Sequence, residues 1–216
     1  MINLKQKIFC VSMQRSGTTS VGVFFKKNGF KVADYHISKN NLWTQNWYKG
    51  DYEAVFKSKA FRRHVVFEDD PWWCPDFYKV LFHRFPKSRF ILMFRDSNDW
   101  FKSMVNHSDG KTLGNTKIHA KIYNREIEYL DYIKENKIND SIQTVDNLLN
   151  LSNFKQHYIN IYENHNRTVV NFFKNNAPER LFISRLEDSD KWEKLGAFFK
   201  IKLPPNFDVH ENKSQK

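Results

Sequence analysis

The sequence predicts an α/β fold, a mostly parallel sheet covered by helices. Short apolar runs alternate with helical segments at least four times along the chain, the pattern of strand–helix–strand units. The 216 residues suit a single domain with a substantial core. A composition of 40% hydrophobic and 16% aromatic residues marks a globular chain rather than a disordered one. Phe alone occurs 20 times, so these rings either fill a core or line a site.

Lys7 to Ser12 is a short apolar run and reads as a buried strand. A polar turn, Met13 to Thr19, leads into a helix that ends near Asn28-Gly29, a good stop signal. Lys31 to Tyr35 is read as a second strand. Asn41 to Lys59 has aromatic residues at roughly helical spacing, broken near Gly50. His64 to Glu68 is a third strand, ending in three acids and Pro71. Pro75 to Phe85 reads as a helix and Arg89 to Phe94 as the clearest buried strand. Asp96 or Ser97 can cap the next helix, which runs to about Val105.

Residues 107–117, rich in Gly, Asn, Lys and Ser, predict a loop. A helical insertion follows, from about Ile118 to Lys174. Its last helix carries Phe154, Tyr158, Ile161, Tyr162, His165, Val169 and Phe173 on one face, at spacings of three and four. Leu181 to Ser184 is the final strand and Trp192 to Phe199 the final helix. Neither repeats nor linkers are visible, so 1–216 is read as one domain.

Lys and Arg total 35 against 24 Asp and Glu, a formal charge of +11. That balance suits an anionic partner. The basic residues are spread along the chain, with only Lys57, Lys59, Arg62 and Arg63 close together, and no nucleic-acid motif is present. Nucleic acid is therefore not expected as a partner. Cys10 and Cys74 make neither a disulfide framework nor a metal-ligand spacing, so no metal is expected. The polar N-terminus does not read as a signal peptide, and no apolar run reaches the roughly 20 residues of a membrane helix. A cytoplasmic location is the default expectation. Oligomeric state is not legible.

In sheets of this class ligands sit at the carboxyl ends of the strands. The first such segment is Ser12-Met13-Gln14-Arg15-Ser16-Gly17-Thr18-Thr19-Ser20. Gly17 permits close backbone approach. The N–H groups at the helix start and the helix dipole favour an anion. Arg15 adds a fixed charge, and Ser16, Thr18, Thr19 and Ser20 add hydroxyls. The bland alternative is an ordinary strand–turn–helix with Ser/Thr capping. It is not a Walker A loop: with Gly17 on that motif's second glycine, Ser12 takes the place of the first and Thr18 that of the lysine. Nor does it fit a cysteine phosphatase loop, because only four residues separate Cys10 from Arg15 and Cys10 lies within the strand.

The second segment is Arg95 to Ser103. Arg95 follows the strongest strand, and Ser103 lies eight residues on, about two helical turns. Such a pair can hold a second phosphate, although an Arg at a strand end is also a common ion-pair partner. The third segment is the acid cluster Glu68, Asp69 and Asp70. A carboxylate partly desolvated beside other acids has a raised proton affinity, which suits a general base. A solvated turn or a helix cap is the alternative. His165 reads either as a base or acceptor ligand or as a core histidine. Trp43, Trp47, Trp72 and Trp73 either stack on an acceptor or pack the core.

Together these segments resemble the PAPS-dependent sulfotransferase family, where PAPS is 3′-phosphoadenosine 5′-phosphosulfate. The resemblance extends through Val66 to Pro71, Phe77-Tyr78-Lys79, Phe85 to Leu92, Tyr162-x-x-His165, Glu179 to Phe182, Trp192 to Leu195 and His210-Glu211-Asn212, a compact bacterial-type branch. It covers about residues 6–213. It implies a three-layer P-loop-type fold with a helical insertion before the last strand. It implies that Gln14, Arg15, Ser16, Gly17, Thr18, Thr19 and Ser20 bind the 5′-phosphosulfate, and that Arg95 and Ser103 bind the 3′-phosphate. PAP, the desulfated nucleotide, would be the product, and no metal would be needed. Asp69, counted back from Pro71, matches the family's acid, with Glu68, Asp70 and His165 as alternatives for the base. The acceptor would be a hydroxyl or amine of a small metabolite, lipid or glycan. The chain departs from the family in three places. Arg15 stands where many members have Lys, Ser20 where many cytosolic members have a Trp, and the Arg-Lys-Gly adenine loop is absent. A P-loop small-molecule kinase and a non-catalytic relative that binds PAP or another anion are the rival readings.

Overall fold

The computed structural model describes residues 6–107, 110, 113, 116–138 and 151–209. Most of the 107–117 loop, the end of the 118–174 helical region's middle and the His210-Glu211-Asn212 motif lie outside the described residues. Five parallel strands form one sheet in the order β2-β3-β1-β4-β5. They are β1 (Ile8–Cys10), β2 (Val32–Ala33), β3 (Val66–Phe67), β4 (Arg89–Phe94) and β5 (Leu181–Arg185). The helices are α1 (Thr18–Lys27), α2 (Tyr35–Asn40), α3 (Trp43–Tyr48), α4 (Tyr52–Lys57), α5 (Lys59–Arg63), α6 (Phe77–Arg84), α7 (Ser97–Asn106), α8 (Lys117–Ile122), α9 (Glu126–Glu135), α10 (Leu151–Asn176) and α11 (Lys191–Phe199). The fold class read from the sequence holds. Two short helices, α2 and α5, were not foreseen, and Tyr35 opens α2 rather than ending a strand.

The chain divides into two compact units, one of residues 1–95 and 166–216, the other of residues 96–165. In the first, the period-two alternation of the strands gives the sheet two unlike faces. Ile8, Cys10, Val66, Ile91, Met93 and Phe182 form one face, under Val21, Phe24 and Phe25 of α1 and Trp192, Leu195 and Phe199 of α11. Phe9, Phe67 and Phe90 belong to the other, which is aromatic. There Phe61 stacks on Phe67 at 4.7 Å, Trp72 meets Phe67 at 4.9 Å and Phe90 meets Phe173 at 4.7 Å. Much of the high Phe content is thereby spent on packing. Each buried ring contributes about 1.5–3 kcal/mol from burial alone, and favourable ring pairs add about 0.5–1.5 kcal/mol. Trp43, Trp47, Trp72 and Trp73 are all buried, so packing rather than stacking on an acceptor is their place here.

Arg180, from the family-like Glu179 to Phe182 stretch, staples this unit. Its guanidinium donates to the carbonyls of Phe82, Phe85 and Ser88 and lies 3.9 Å over the Phe82 ring. In the second unit Trp100 stacks on Tyr162 at 4.4 Å. Arg125, buried there, donates to Tyr158 Oη at 3.1 Å and pairs with Glu128. The apolar face foreseen for the long helix is present: Tyr158, Tyr162, His165, Val169 and Phe173 are all buried.

Candidate functional site

β1 lies between β3 and β4, so the segments after these three strands share one edge of the sheet. The chain crosses over β1 between β3 and β4. The carboxyl ends of β1 and β4 therefore flank a topological switch point, the place where open α/β sheets bind ligands.

The loop after β1 is built to curl. Arg15 has φ 64° and Gly17 has φ 86°, with Ser16 N–H donating to Met13 O at 3.2 Å. Left-handed residues set among ordinary ones turn successive N–H groups inward into an anion-binding concavity. α1 then starts at Thr18 with Gly17 as its N-cap, a residue with no side chain to cap with. The alternative of Ser/Thr capping at that position is thus removed. No acidic residue occupies the first turn of α1. Gly17 is demanded by its φ; an added Cβ would also meet Leu186 Cδ1 at 2.6 Å, the far end of a side chain that can turn aside. The floor is braced by Ser12, whose Oγ accepts from Met93 N at 2.7 Å and so ties the ends of β1 and β4 together. Ser16, Thr18 and Ser20 are buried, whereas Gln14, Arg15, Gly17 and Thr19 keep partial access to solvent.

Two cations meet at this edge. Burial, and then the charge of Arg95, lowers the proton affinity of Arg15. Arg95 lies 3.8 Å from Glu187, which also reaches Arg185 at 3.8 Å. Two guanidiniums that repel one another beside an inward-curled loop favour an anion with charge to neutralise both.

The three acids after β3 are not equivalent. Glu68 is 4% exposed and lies over α1, where an added Cβ on Gly22 would come within 2.9 Å of its carboxyl carbon. Burial, then the charges of Asp69 and Asp34, pushes its carboxyl up to about 8. Asp69 has φ 72°, a left-handed turn that an aspartate adopts more readily than most residues, and its Oδ1 accepts the Asp70 N–H at 2.9 Å. Burial and the neighbouring Asp70 raise its proton affinity. Asp70 accepts from Thr44 Oγ1 at 2.7 Å, and burial raises its proton affinity against that bond. None of the three caps α6, whose N-cap is Asp76.

The structure thus brings residues 14–20, the acids and Arg95 to one edge of the first unit. Ser103 and His165, both buried, belong to the second unit. Asp96 rather than Ser97 caps α7, accepting from the N–H groups of Asn98 and Asp99. Sequence reasoning missed Thr44, Glu187, Leu186 and the role of Gly22. A glycine inside an otherwise good helix was the available signal for the last.

Among the described residues, no group of His, Cys, Asp and Glu has a metal-holding arrangement, and no helix is long and apolar enough to cross a membrane. No curated protein matches the chain significantly. The sequence profile of the sulfotransferase domain matches residues 7–216, nearly the whole chain. This chain, with its parallel five-stranded sheet, therefore belongs to the sulfotransferase domain family.

Proposed function

We propose that the protein transfers the sulfuryl group of PAPS to a hydroxyl or amine of a small metabolite, lipid or glycan, releasing PAP. The observation that carries this reading is the convergence of Arg15 and Arg95 at the β1/β4 crevice, each within electrostatic reach of the other. PAPS offers two anionic groups, one for each cation. Arg15 and the N–H groups at the start of α1 would take the 5′-phosphosulfate. Arg95 would take the 3′-phosphate. Ser103 is assigned to that phosphate on its sequence spacing from Arg95 alone.

In the reaction the acceptor's lone pair attacks sulfur in line with the bond to the leaving phosphate. Arg15 and the loop N–H groups stabilise the charge that grows on the transferred group and on the phosphate oxygen that departs. Such preorganised donors are usually the largest catalytic contribution. Asp69 would take the acceptor's proton. It ends a strand on the edge that also holds Arg15, and its raised proton affinity suits a base working near neutral pH.

The test is incubation with 35S-labelled PAPS and a panel of phenols, alcohols, amines, glycans and lipid headgroups, beside a parallel panel with γ-32P-labelled ATP and magnesium. Transfer of 35S to one acceptor class without transfer of 32P is the expected result. Phosphoryl transfer alone would establish a kinase instead. PAP binding with no 35S transfer to any acceptor would leave an anion-binding relative.

A further inference from the structure

The turn after β5 brings a carboxylate to the cations of the anion site. Ser184 Oγ and the Arg185 N–H both donate to Asp188 Oδ2, at 3.1 and 3.2 Å, and the Asp188 N–H donates to Arg185 O at 3.2 Å. The Leu186 N–H donates to Phe94 O at 2.7 Å, which carries the β4/β5 pairing one residue past β5, and the Leu186 side chain lies against Gly17. The turn is thus held on both sides of Glu187, and Asp188 spends its carboxylate on closing it. Phe94 and Arg185 are register partners, so Arg95 and Arg185 stand at neighbouring strand ends. Glu187 lies between them: one of its oxygens is 3.8 Å from Arg95 Nε and the other 3.8 Å from Arg185 Nε. Both separations exceed hydrogen-bond length. The Glu187 side chain is 46% exposed. The carboxylate is therefore shared by two guanidiniums and locked to neither.

We propose that Glu187 is an exchangeable counter-ion: it occupies the anion place at Arg95 in the nucleotide-free protein and passes to Arg185 when the nucleotide's 3′-phosphate arrives. The inference rests on the reading of Arg95 as the cation for that phosphate. Arg95 also faces the charge of Arg15, so the empty site favours an anion beside Arg95. A phosphate carries more charge than a carboxylate and accepts two parallel hydrogen bonds from one guanidinium, so it wins Arg95. Arg185 is half-exposed and lies 5.9 Å over the Phe94 ring, where it remains to receive the displaced carboxylate. An exposed ion pair is weak enough for the exchange to reverse. A ligand whose place is filled part of the time binds more weakly by the fraction of protein in which that place is open. Glu187 thereby lowers the affinity for PAP and eases its departure after transfer. A nucleotide without a 3′-phosphate leaves the Glu187–Arg95 pair in place.

The experiment is isothermal titration of PAP and of 5′-AMP into the full chain at about 0.15 M salt, where charges beyond about 8 Å are screened. The proteins are wild type, Glu187→Gln, Arg185→Ala, the double variant and Arg95→Ala. Glu187→Gln should bind PAP about threefold to tenfold more tightly, the range expected for removing one weak competing pair, with 5′-AMP changed less than about twofold. Arg185→Ala should weaken PAP by about threefold in the wild-type background, because the carboxylate has lost its second partner. In the Glu187→Gln background it should have no effect, since there is then no carboxylate to pass on.

An unchanged or weaker PAP Kd in Glu187→Gln makes Glu187 a bystander or a support for Arg95, and overturns the proposal. Equal tightening of PAP and 5′-AMP overturns it too, as an effect of net charge alone. Weakening of PAP by Arg185→Ala to the same extent in both backgrounds makes Arg185 a direct phosphate ligand and overturns the exchange. Arg95→Ala separates this inference from the reading beneath it. If that variant keeps the preference for PAP over 5′-AMP, the Arg95 reading itself is refuted. If the preference is lost and Glu187→Gln still does not tighten PAP, the Glu187 inference alone is refuted.

Discussion

Replacing Glu68 by Gln should make the protein more resistant to alkali. Glu68 is 4% exposed, its Oε2 has no hydrogen-bond partner, and it is pushed up to about 8 from 4.5. Below about 4.5 the carboxyl is protonated in both the folded and unfolded chain and contributes no pH dependence. Between 4.5 and about 8 the unfolded chain ionises while the folded chain stays neutral, so stability falls as pH rises. Above about 8 both are ionised and the loss is complete. A displacement of that size corresponds to an upper limit of roughly 5 kcal/mol, because each pH unit is about 1.4 kcal/mol. Gln has the shape of the neutral acid and does not ionise. At pH 5 the variant should lie within about 1–3 kcal/mol of wild type, the cost of an amide set beside Gly22 without a partner. At pH 9 it should be the more stable of the two by several kcal/mol, or about 10 °C in Tm for a chain of this size. Urea unfolding at pH 5, 7 and 9 measures the difference. The charge of Asp69 is one cause of the raised Glu68, so removing Glu68 also relieves Asp69 and adds to the difference in the same direction. Unfolding midpoints that change in parallel for wild type and Glu68→Gln across this range would refute the reasoning.

Arg15→Ala should lower sulfuryl transfer more than tenfold, since a charge-assisted contact is worth at least ~1.5 kcal/mol; turnover at the wild-type rate would remove Arg15 from the cradle. Gly17→Ala should cost about 1–3 kcal/mol of stability and weaken PAP binding, because the backbone there is left-handed; unchanged urea midpoint and Kd would contradict that requirement.

The fold was legible because its signals are local. The run from Phe90 to Phe94 is apolar throughout, and a strand buried on both faces suits such a run. Gly50, with φ 75°, breaks the aromatic helix where expected. The loop after β1 was legible as a candidate anion site from Arg15, Gly17 and the hydroxyls around them, but its curl was not, because a left-handed Arg15 has no compositional mark. Gly17 was read as room for a ligand. The structure adds Leu186, which lies about 170 positions away in the chain and meets Gly17 only once β4 and β5 pair. The acids were legible as a cluster and not as individuals. Glu68 differs from Asp70 through Gly22 on one side and Thr44 on the other, and these partners come from α1 and α3. The two faces of the sheet explain the four tryptophans in the same way: their stacking potential was visible, while their burial depended on tertiary packing.

The central claim is that the β1/β4 crevice holds a nucleotide through two separate anionic groups, and isothermal titration of PAP against 5′-AMP tests it most directly. The two ligands differ only in the 3′-phosphate, which the account gives to Arg95. PAP should bind at least tenfold more tightly, since a charge-assisted phosphate contact contributes about 1.5–3 kcal/mol and tenfold corresponds to about 1.4 kcal/mol. Arg95→Ala should bring the two affinities together. Equal affinity for PAP and 5′-AMP in the wild-type protein would contradict the account.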